Sequence, residues 1–209
     1  MAAEPSVIEP AFKNSPAIDW WLLGHAVEHY RVQGYEQVEV PWVIPSSYMG
    51  GTKPHDHRMF EMTQGHFSNQ PHELIGSAEQ GFVYMKRNKL LPYGRNFQAV
   101  TPCFRVENFD STHLPWFMKL ELYIDDNDKY SLEQMIEDAV DFFTVWNKNQ
   151  GFHFPRYDPK VVQYGDTFDI EINGVEVGSY GIRPGATSWD EYIYGTGLAL
   201  PRLSQARNK

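Results

Sequence analysis

Hydrophobic and polar positions along the chain recur with two periods, and each period predicts one type of element. A spacing of three and four residues predicts helices over residues 18–32, 77–88 and 131–146. Ser77 and Ser131 are the expected N-caps of the last two, because a serine oxygen accepts from the unpaired amides of a first turn. The apolar side of the first helix is predicted to contain Ile18, Trp21, Leu22, His25, Ala26 and His29.

Alternation of apolar and polar residues predicts the strands. Residues 35–45 follow Gly34, which ends the first helix, and this strand is expected to stop at Pro41 or Pro45, because proline lacks the N–H that a ladder needs. Residues 46–72 are polar and rich in glycine and histidine, which predicts a long loop. Further strands are predicted over residues 96–107, 117–124, 168–172 and 175–177.

The strands over residues 96–107 and 117–124 place charged and aromatic side chains on one face. Arg105 shares a face with Glu107, and Phe117 shares a face with Lys119 and Glu121, because side chains alternate along a strand. The positions that point to the core are Met118, Leu120, Leu122 and Ile124. A charged, aromatic face is costly unless something binds there. Arginine for phosphate, an aromatic ring for a base and carboxylates for amines together predict a nucleotide site.

The Asn-Gly pair at residues 173–174 is typical of a two-residue hairpin turn. This turn pairs Ile172 with Val175, and therefore Glu171 with Glu176. Two carboxylates directly opposite each other repel, so either both are solvated or a cation lies between them. Mg²⁺ takes one or two carboxylates together with phosphate and water, which makes it the candidate cation.

The last element begins with Gly-Thr-Gly at residues 195–197, and Gly197 permits a close backbone approach. Pro201 is suited to the first turn of a helix. Arg202 is therefore expected at the positive end of that helix, where anions are favoured.

Composition narrows the class of protein. The 209 residues carry a net charge of −9, which argues against a large non-specific nucleic-acid surface. The sequence has no apolar run of transmembrane length and no signal-peptide pattern, and the single cysteine, Cys103, excludes an internal disulfide. We expect a cytoplasmic globular protein, with a Pro-rich arm over residues 1–16 and one domain over residues 17–209.

In chain order, these segments resemble the catalytic domain of class II aminoacyl-tRNA synthetases over residues 17–202. The helix that leads into Gly34 and the strand to Pro41 are similar to the first motif of that family. Residues 104–107, with His113, Phe117 and Glu121, are similar to the second, and residues 195–202 to the third. Residues 77–80, Ser-Ala-Glu-Gln, are similar to the Thr-x-Glu loop of the seryl, prolyl and threonyl branch.

The resemblance implies an α+β fold with an antiparallel sheet flanked by helices, a homodimer, and the use of ATP with Mg²⁺. It implies that Arg105 and Arg202 are catalytic, because they stabilise charge on the phosphates of ATP. Ser179 matches a hydroxyl of the family only if a bulge at Gly178 brings it to the other face of its strand. The residues assigned to ATP are Arg105, Glu107, His113, Phe117, Glu176, Ser179, Gly197 and Arg202.

The resemblance also assigns an amino-acid site and a metal site. Glu176 would hold Mg²⁺, with support from the facing Glu171. Because the substrate carboxylate is itself the nucleophile, catalysis would consist of positioning and charge neutralisation. The residues assigned to the amino acid are Ser77, Glu79, Lys119 and Glu121.

Unlike the family, this chain is expected to have no anticodon-binding domain. We therefore expect a free-standing catalytic core. We expect it to activate an amino acid as an adenylate and to pass it to an unidentified acceptor, with tRNA among the candidates and no membrane partner. A non-catalytic sensor of amino acids or nucleotides is one alternative. An ammonia-dependent amide synthetase is another, because residues 178–183 are similar to a Ser-Met-Gly-Ile-Arg stretch of asparagine synthetase. Metal sites at His25 with His29, or at His55 with His57, are further interpretations of the sequence.

Overall fold

The computed structural model describes residues 18–50, 52, 59–62, 70–92, 94–106, 114–125, 129–149, 158–185 and 191–207. Its strands are β1 (Glu36–Gln37), β2 (Val43–Pro45), β3 (Glu61–Met62), β4 (His72–Leu74), β5 (Asn96–Phe104), β6 (Trp116–Ile124), β7 (Lys160–Tyr164), β8 (Thr167–Ile172), β9 (Val175–Pro184) and β10 (Glu191–Leu200). Its helices are α1 (Trp20–Val32), α2 (Ala78–Arg87), α3 (Lys129–Asn149) and α4 (Arg202–Arg207), and a 3-10 turn spans Ser46–Tyr48.

The strands form two sheets within the described part of the chain. The larger sheet has the order β1-β5-β6-β10-β9-β8-β7, and the smaller has the order β2-β4-β3. All neighbouring strands are antiparallel except β1 and β5, which are parallel. The predicted α+β fold, a mostly antiparallel sheet flanked by helices, is confirmed.

One face of the larger sheet packs against α1, α3 and α4. The β6 side chains predicted to point to a core, Met118, Leu120, Leu122 and Ile124, all lie in this layer. The helices contribute buried apolar side chains to the same layer: Leu22, Leu23, Ala26, Tyr30, Leu132, Met135, Ile136, Ala139, Phe142, Phe143, Leu203 and Ala206.

The opposite face of the sheet packs against α2. Ser77 caps α2 as predicted, because its hydroxyl oxygen accepts from the Glu79 amide at 3.3 Å. Phe82 of α2 stacks on Tyr123 of β6, with ring centroids 5.0 Å apart, and Tyr123 stacks on Tyr192 of β10. This aromatic column fills one end of the face and leaves the other end for polar side chains.

The predicted apolar side of α1 is wrong at two positions. Trp21 is 61% exposed and His25 is exposed, whereas Leu23 and Tyr30 are buried. Two adjacent stripes of the helix, positions 21, 25 and 29 and positions 22, 26 and 30, both have helical spacing. The period alone does not choose between adjacent sides of a helix.

Three further element predictions are corrected. Residues 35–45 do not form one strand that runs to Pro41 or Pro45, because β1 already ends at Gln37 and pairs with β5, while β2 belongs to the smaller sheet. Residues 46–72 are not one loop, since they include the 3-10 turn, β3 and the start of β4. Ser131 does not cap α3, because the helix begins at Lys129 and Ser131 already has helical backbone geometry.

The hairpin of β8 and β9 forms as predicted. Asn173 and Gly174 have positive φ angles of 53° and 69°, and Ile172 pairs with Val175, so that Glu171 lies opposite Glu176. A shift in register follows, since Ile170 pairs with Gly178 rather than with Val177. The bulge that Ser179 required is therefore present.

None of the described helices combines the length and the apolar composition that a membrane crossing requires.

Candidate active site

A cavity of about 150 Å³ opens on the α2 side of the larger sheet. It brings together nine of the residues predicted for the site: Ser77, Glu79, Arg105, Phe117, Lys119, Glu121, Glu176, Ser179 and Arg202. It is also lined by residues that were not predicted: Thr52, Arg183, Tyr194, Thr196 and Ala199.

Four predicted site residues are not part of this lining. Glu107 and His113 lie outside the described residues, as do the histidines at positions 55 and 57. Gly197 turns towards the core, where an added Cβ would lie 2.6 Å from Leu120. Glu171 lies opposite Glu176 in the β8–β9 hairpin and accepts from the Tyr164 hydroxyl at 3.0 Å.

The strand register orders the lining residues along the sheet. Lys119 pairs with Ala199, Glu121 with Thr196, and Tyr123 with Tyr194. Because a strand rises about 3.3 Å per residue, the six steps from Phe117 to Tyr123 cover about 20 Å of backbone, and the long side chains at the two ends turn towards the start of α2 between them. We call one extreme the Arg105 end (Arg105, Phe117, Glu176 and Arg202) and the other the Arg183 end (Glu79, Arg183, Tyr192 and Tyr194).

The Arg105 end combines two guanidinium groups, an aromatic ring and a carboxylate. The Arg105 guanidinium lies 5.1 Å from the centroid of the Phe117 ring, and its Nε donates to the carbonyl of Gly76 at 3.2 Å. Arg202, at the start of α4, donates from Nη1 to Oε1 of Glu176 at 2.9 Å. Guanidinium groups bind phosphate oxygens in a fixed geometry, so this end is equipped for a polyphosphate.

Between the two ends lies the buried carboxylate of Glu121. It accepts from the Ser77 hydroxyl at 2.6 Å, from Nζ of Lys119 at 2.9 Å and from the amide of Ala78. Burial alone raises the pKa of Glu121, but the Lys119 ammonium and these hydrogen bonds outweigh it and hold the pKa below its ordinary value. Glu121 is therefore a fixed negative charge at the N-terminus of α2, where the helix dipole favours it.

At the Arg183 end, Glu79 is buried and already has partners. Nη1 of Arg183 donates to both of its oxygens, at 3.0 and 2.8 Å, and the Tyr192 hydroxyl donates at 2.8 Å. Burial raises the pKa of Glu79 to about 7, although Arg183 and Tyr192 both lower it. The Arg183 guanidinium also lies over the Tyr194 ring, 4.2 Å from its centroid.

The described residues contain no cluster of three or more histidine, cysteine, aspartate or glutamate side chains that would hold a metal ion by themselves. Mg²⁺ usually takes only one or two carboxylates, with phosphate oxygens and waters as its other ligands. Glu176 lines the cavity and Glu171 lies opposite it in the hairpin, so a cation that arrives with a nucleotide would meet one carboxylate in the cavity wall. The metal assignment stays a prediction.

Two buried tyrosines fix the bulge of β10 beside the cavity. The register of β10 shifts between Thr196 and Leu198, and the Tyr180 hydroxyl donates to the carbonyl of Thr196 at 2.6 Å. The Tyr30 hydroxyl of α1 donates to the carbonyl of Gly197 at 2.9 Å. The bulge sets the position of the strand that leads to Ala199 and Arg202.

Arg183 lines the cavity but was not among the residues predicted for the site, although the sequence contains a signal for it. Once the bulge near Gly178 is counted, alternation places Ser179, Gly181 and Arg183 on one face of β9. Its partner Glu79 is 104 residues away, so no local pattern announces the ion pair.

Comparison with known proteins gives the fold a context. No family model matches the chain, and no curated protein matches it in sequence. Among solved structures, a pyrrolysyl-tRNA synthetase from Desulfitobacterium hafniense aligns with a TM-score of 0.67 and 17% identity, over 100% of this chain and 83% of that one. A second structure of that synthetase gives 0.66 and 18%, over 94% and 68%.

A cytoplasmic serine-tRNA ligase from Naegleria fowleri, solved in complex with AMP, aligns with a TM-score of 0.65 and 14% identity. The alignment covers 89% of this chain and 46% of the ligase. Both kinds of neighbour are class II aminoacyl-tRNA synthetases. The chain therefore has the fold of a class II synthetase catalytic core, as the motifs predicted.

Proposed function

We propose that the protein uses ATP to activate an amino acid, forming an aminoacyl adenylate and releasing pyrophosphate, and then passes the aminoacyl group to an acceptor. One observation carries the proposal: within a synthetase fold, one cavity is lined both by the guanidinium groups of Arg105 and Arg202, which would receive phosphates, and by Glu79, Lys119 and Glu121, which would receive an amino acid. If Arg105 and Arg202 formed only ordinary surface ion pairs, there would be no reason for an aromatic ring and buried carboxylates to line the same cavity.

In the proposed reaction a carboxylate oxygen of the amino acid attacks the α-phosphorus of ATP. One oxygen–phosphorus bond forms, and the bond from that phosphorus to the bridging oxygen breaks, so that pyrophosphate leaves with the electron pair. The carboxylate is already ionised, so no general base is required. Arg105 would bind the α-phosphate and the attacking carboxylate, and fixed positive charge at that point stabilises the transition state.

Arg202 and Glu176 would handle the outer phosphates. Arg202 would turn its guanidinium from Glu176 towards the phosphate chain, and Glu176 would then contribute a carboxylate oxygen to Mg²⁺. A bound Mg²⁺ supplies charge neutralisation on the phosphates. The exposure of the two side chains, 32% for Arg202 and 45% for Glu176, supports such an exchange of partners.

Phe117 would supply the ring on which adenine stacks, and Ser179 would add a hydroxyl at the nucleotide. Glu107 and His113 remain proposals for the adenine amine and the γ-phosphate. Glu121, held by Ser77 and Lys119, would form the wall that faces the amino acid.

Amino-acid-dependent exchange of labelled pyrophosphate into ATP is the test. The wild-type chain should catalyse exchange with at least one amino acid, and Arg105→Ala should lower the rate by about 100-fold or more, the usual cost of a lost charge-stabilising donor. Arg95→Ala is the matched control, because Arg95 forms an exposed ion pair with Glu36 outside the cavity. An absence of exchange with every proteinogenic amino acid would overturn the proposal.

A second candidate is an ammonia-dependent amide synthetase. The observation that favours it is the position of Arg183, which ends the stretch similar to asparagine synthetase and lines the cavity. Product analysis with aspartate, ATP and ammonium distinguishes the two, because only the second function yields asparagine.

We further propose a homodimer, for which the first-motif resemblance and the exposed Trp20 and Trp21 of α1 give support. Sedimentation equilibrium tests it, since a monomer at all concentrations would contradict the proposal.

A further inference from the structure

At the Arg183 end of the cavity, the group accessible to a ligand is the Arg183 cation and not the Glu79 anion. In the ion pair of Arg183 with Glu79, the arginine side chain is 34% exposed and the glutamate side chain only 8%. The carboxylate is surrounded by its own donors, Arg183 and Tyr192. An incoming ammonium group would have to displace a guanidinium, whereas an incoming anion meets that guanidinium directly.

The Arg183 guanidinium is held in a defined orientation. Glu79 binds it through Nη1, and the Tyr194 ring lies beneath it at 4.2 Å. A guanidinium carries several N–H donors in a planar fork, and Glu79 engages only one of its nitrogens in the hydrogen bonds at that carboxylate. Tyr194 also forms a side-chain hydrogen bond with Arg183, and 34% of the arginine side chain stays exposed. The N–H groups that are not engaged in this way remain donors for the oxygens of a carboxylate.

The other charges nearby do not compete for this role. Lys119 and Glu121 neutralise each other within the cavity wall. The 34% of the Arg183 side chain that is exposed is therefore the accessible positive charge at this end, and it is suited to an anionic group of a ligand.

We propose that the amino acid activated by this protein carries an acidic side chain, whose carboxylate binds Arg183, and that Glu79 positions Arg183 for this contact. The inference rests on the proposed function, because the α-carboxylate is then directed to Arg105. The two arginines come from distant backbone positions, but both guanidinium groups turn towards the start of α2, Arg105 to the carbonyl of Gly76 and Arg183 to the carboxylate of Glu79. An amino acid with two carboxylates has one for each arginine.

The test compares pairs of amino acids that differ only in charge. With the full chain, aspartate or glutamate should support pyrophosphate exchange. The kcat/KM for asparagine and glutamine should be lower by about 100-fold or more, because the neutral amide would leave the Arg183 guanidinium without a charged partner. Arg183→Gln should raise KM for the acidic amino acid while leaving KM for ATP unchanged, and Arg183→Lys should recover part of the loss. Arg87→Gln is the matched control, since Arg87 lies 5.6 Å from the Tyr48 ring centroid outside the cavity.

The outcomes separate this inference from the proposed function. Exchange that is fastest with a neutral amino acid and insensitive to Arg183→Gln would overturn the inference and leave the function standing. If no amino acid supports exchange, calorimetry with aspartate and glutamate decides. Binding that Arg183→Gln abolishes supports an acidic-ligand site without activation, and no binding to the wild-type chain overturns both.

Discussion

Glu121→Gln should destabilise the protein far more than the loss of one surface charge does. The Glu121 carboxylate accepts hydrogen bonds from Ser77, Ala78 and Lys119. In Glu121→Gln the NH₂ of the new amide would face one of these donors, and no hydrogen bond could form there. Lys119 is only 13% exposed and would lose its ion-pair partner. Removing one member of a buried ion pair costs about 3–5 kcal/mol, and we expect a loss of this size in the free energy of unfolding.

Urea-induced unfolding at neutral pH, followed by circular dichroism, measures the effect. The matched control is Glu36→Gln, because Glu36 and Arg95 form an exposed ion pair with a short N–O distance of 2.6 Å. Such a pair contributes about 0–1 kcal/mol, so Glu36→Gln should leave the free energy of unfolding nearly unchanged. Lys119→Met combined with Glu121→Gln should be less destabilising than Glu121→Gln alone, because no unpaired charge remains. Equal losses for Glu121→Gln and Glu36→Gln would refute this reasoning.

Three further predictions concern the bulge, the pH dependence and the nucleotide. Gly197→Ala should lower the free energy of unfolding by about 1–3 kcal/mol, because its Cβ would meet Leu120 and Tyr30 at 2.6 and 2.7 Å, whereas Gly24→Ala in α1, with nothing within 4 Å, should cause no loss. Burial raises the pKa of Glu79 from 4.5 to about 7, so the protonated Glu79 side chain stabilises the folded state fully below pH 4.5, and this contribution is lost as the pH rises through 7. Glu79→Gln should therefore make the melting temperature less dependent on pH between 4.5 and 7. Arg202→Ala should raise KM for ATP in pyrophosphate exchange without changing KM for the amino acid, and an unchanged KM for ATP would contradict the role given to Arg202.

Local patterns predicted those parts of the structure that depend on near neighbours in sequence. The turn at Asn173 and Gly174 fixes the pairing of Glu171 with Glu176 by itself, because a two-residue turn leaves no freedom of register. Strand alternation likewise assigned the two faces of β6, and the family resemblance required the bulge that carries Ser179 to the cavity. These features need little information from the rest of the chain.

The remaining features depend on contacts between distant segments. The sequence pattern of α2 predicts Ser77 as a cap, but it does not show that Glu121, 44 residues away, also accepts from Ser77. The partner of Glu79 was missed for the same reason. In α1, two adjacent stripes have helical spacing, and packing against the sheet selects the one that contains Tyr30, whose hydroxyl reaches Gly197.

The central claim is that this cavity forms an aminoacyl adenylate. The most direct measurement mixes the protein with ATP, Mg²⁺ and a mixture of amino acids, quenches the reaction with acid, and identifies the products by mass spectrometry. The account predicts an adenylate of one amino acid, accompanied by pyrophosphate and absent with Arg105→Ala. Pyrophosphate without an adenylate or its breakdown product AMP, or no consumption of ATP at all, would contradict it.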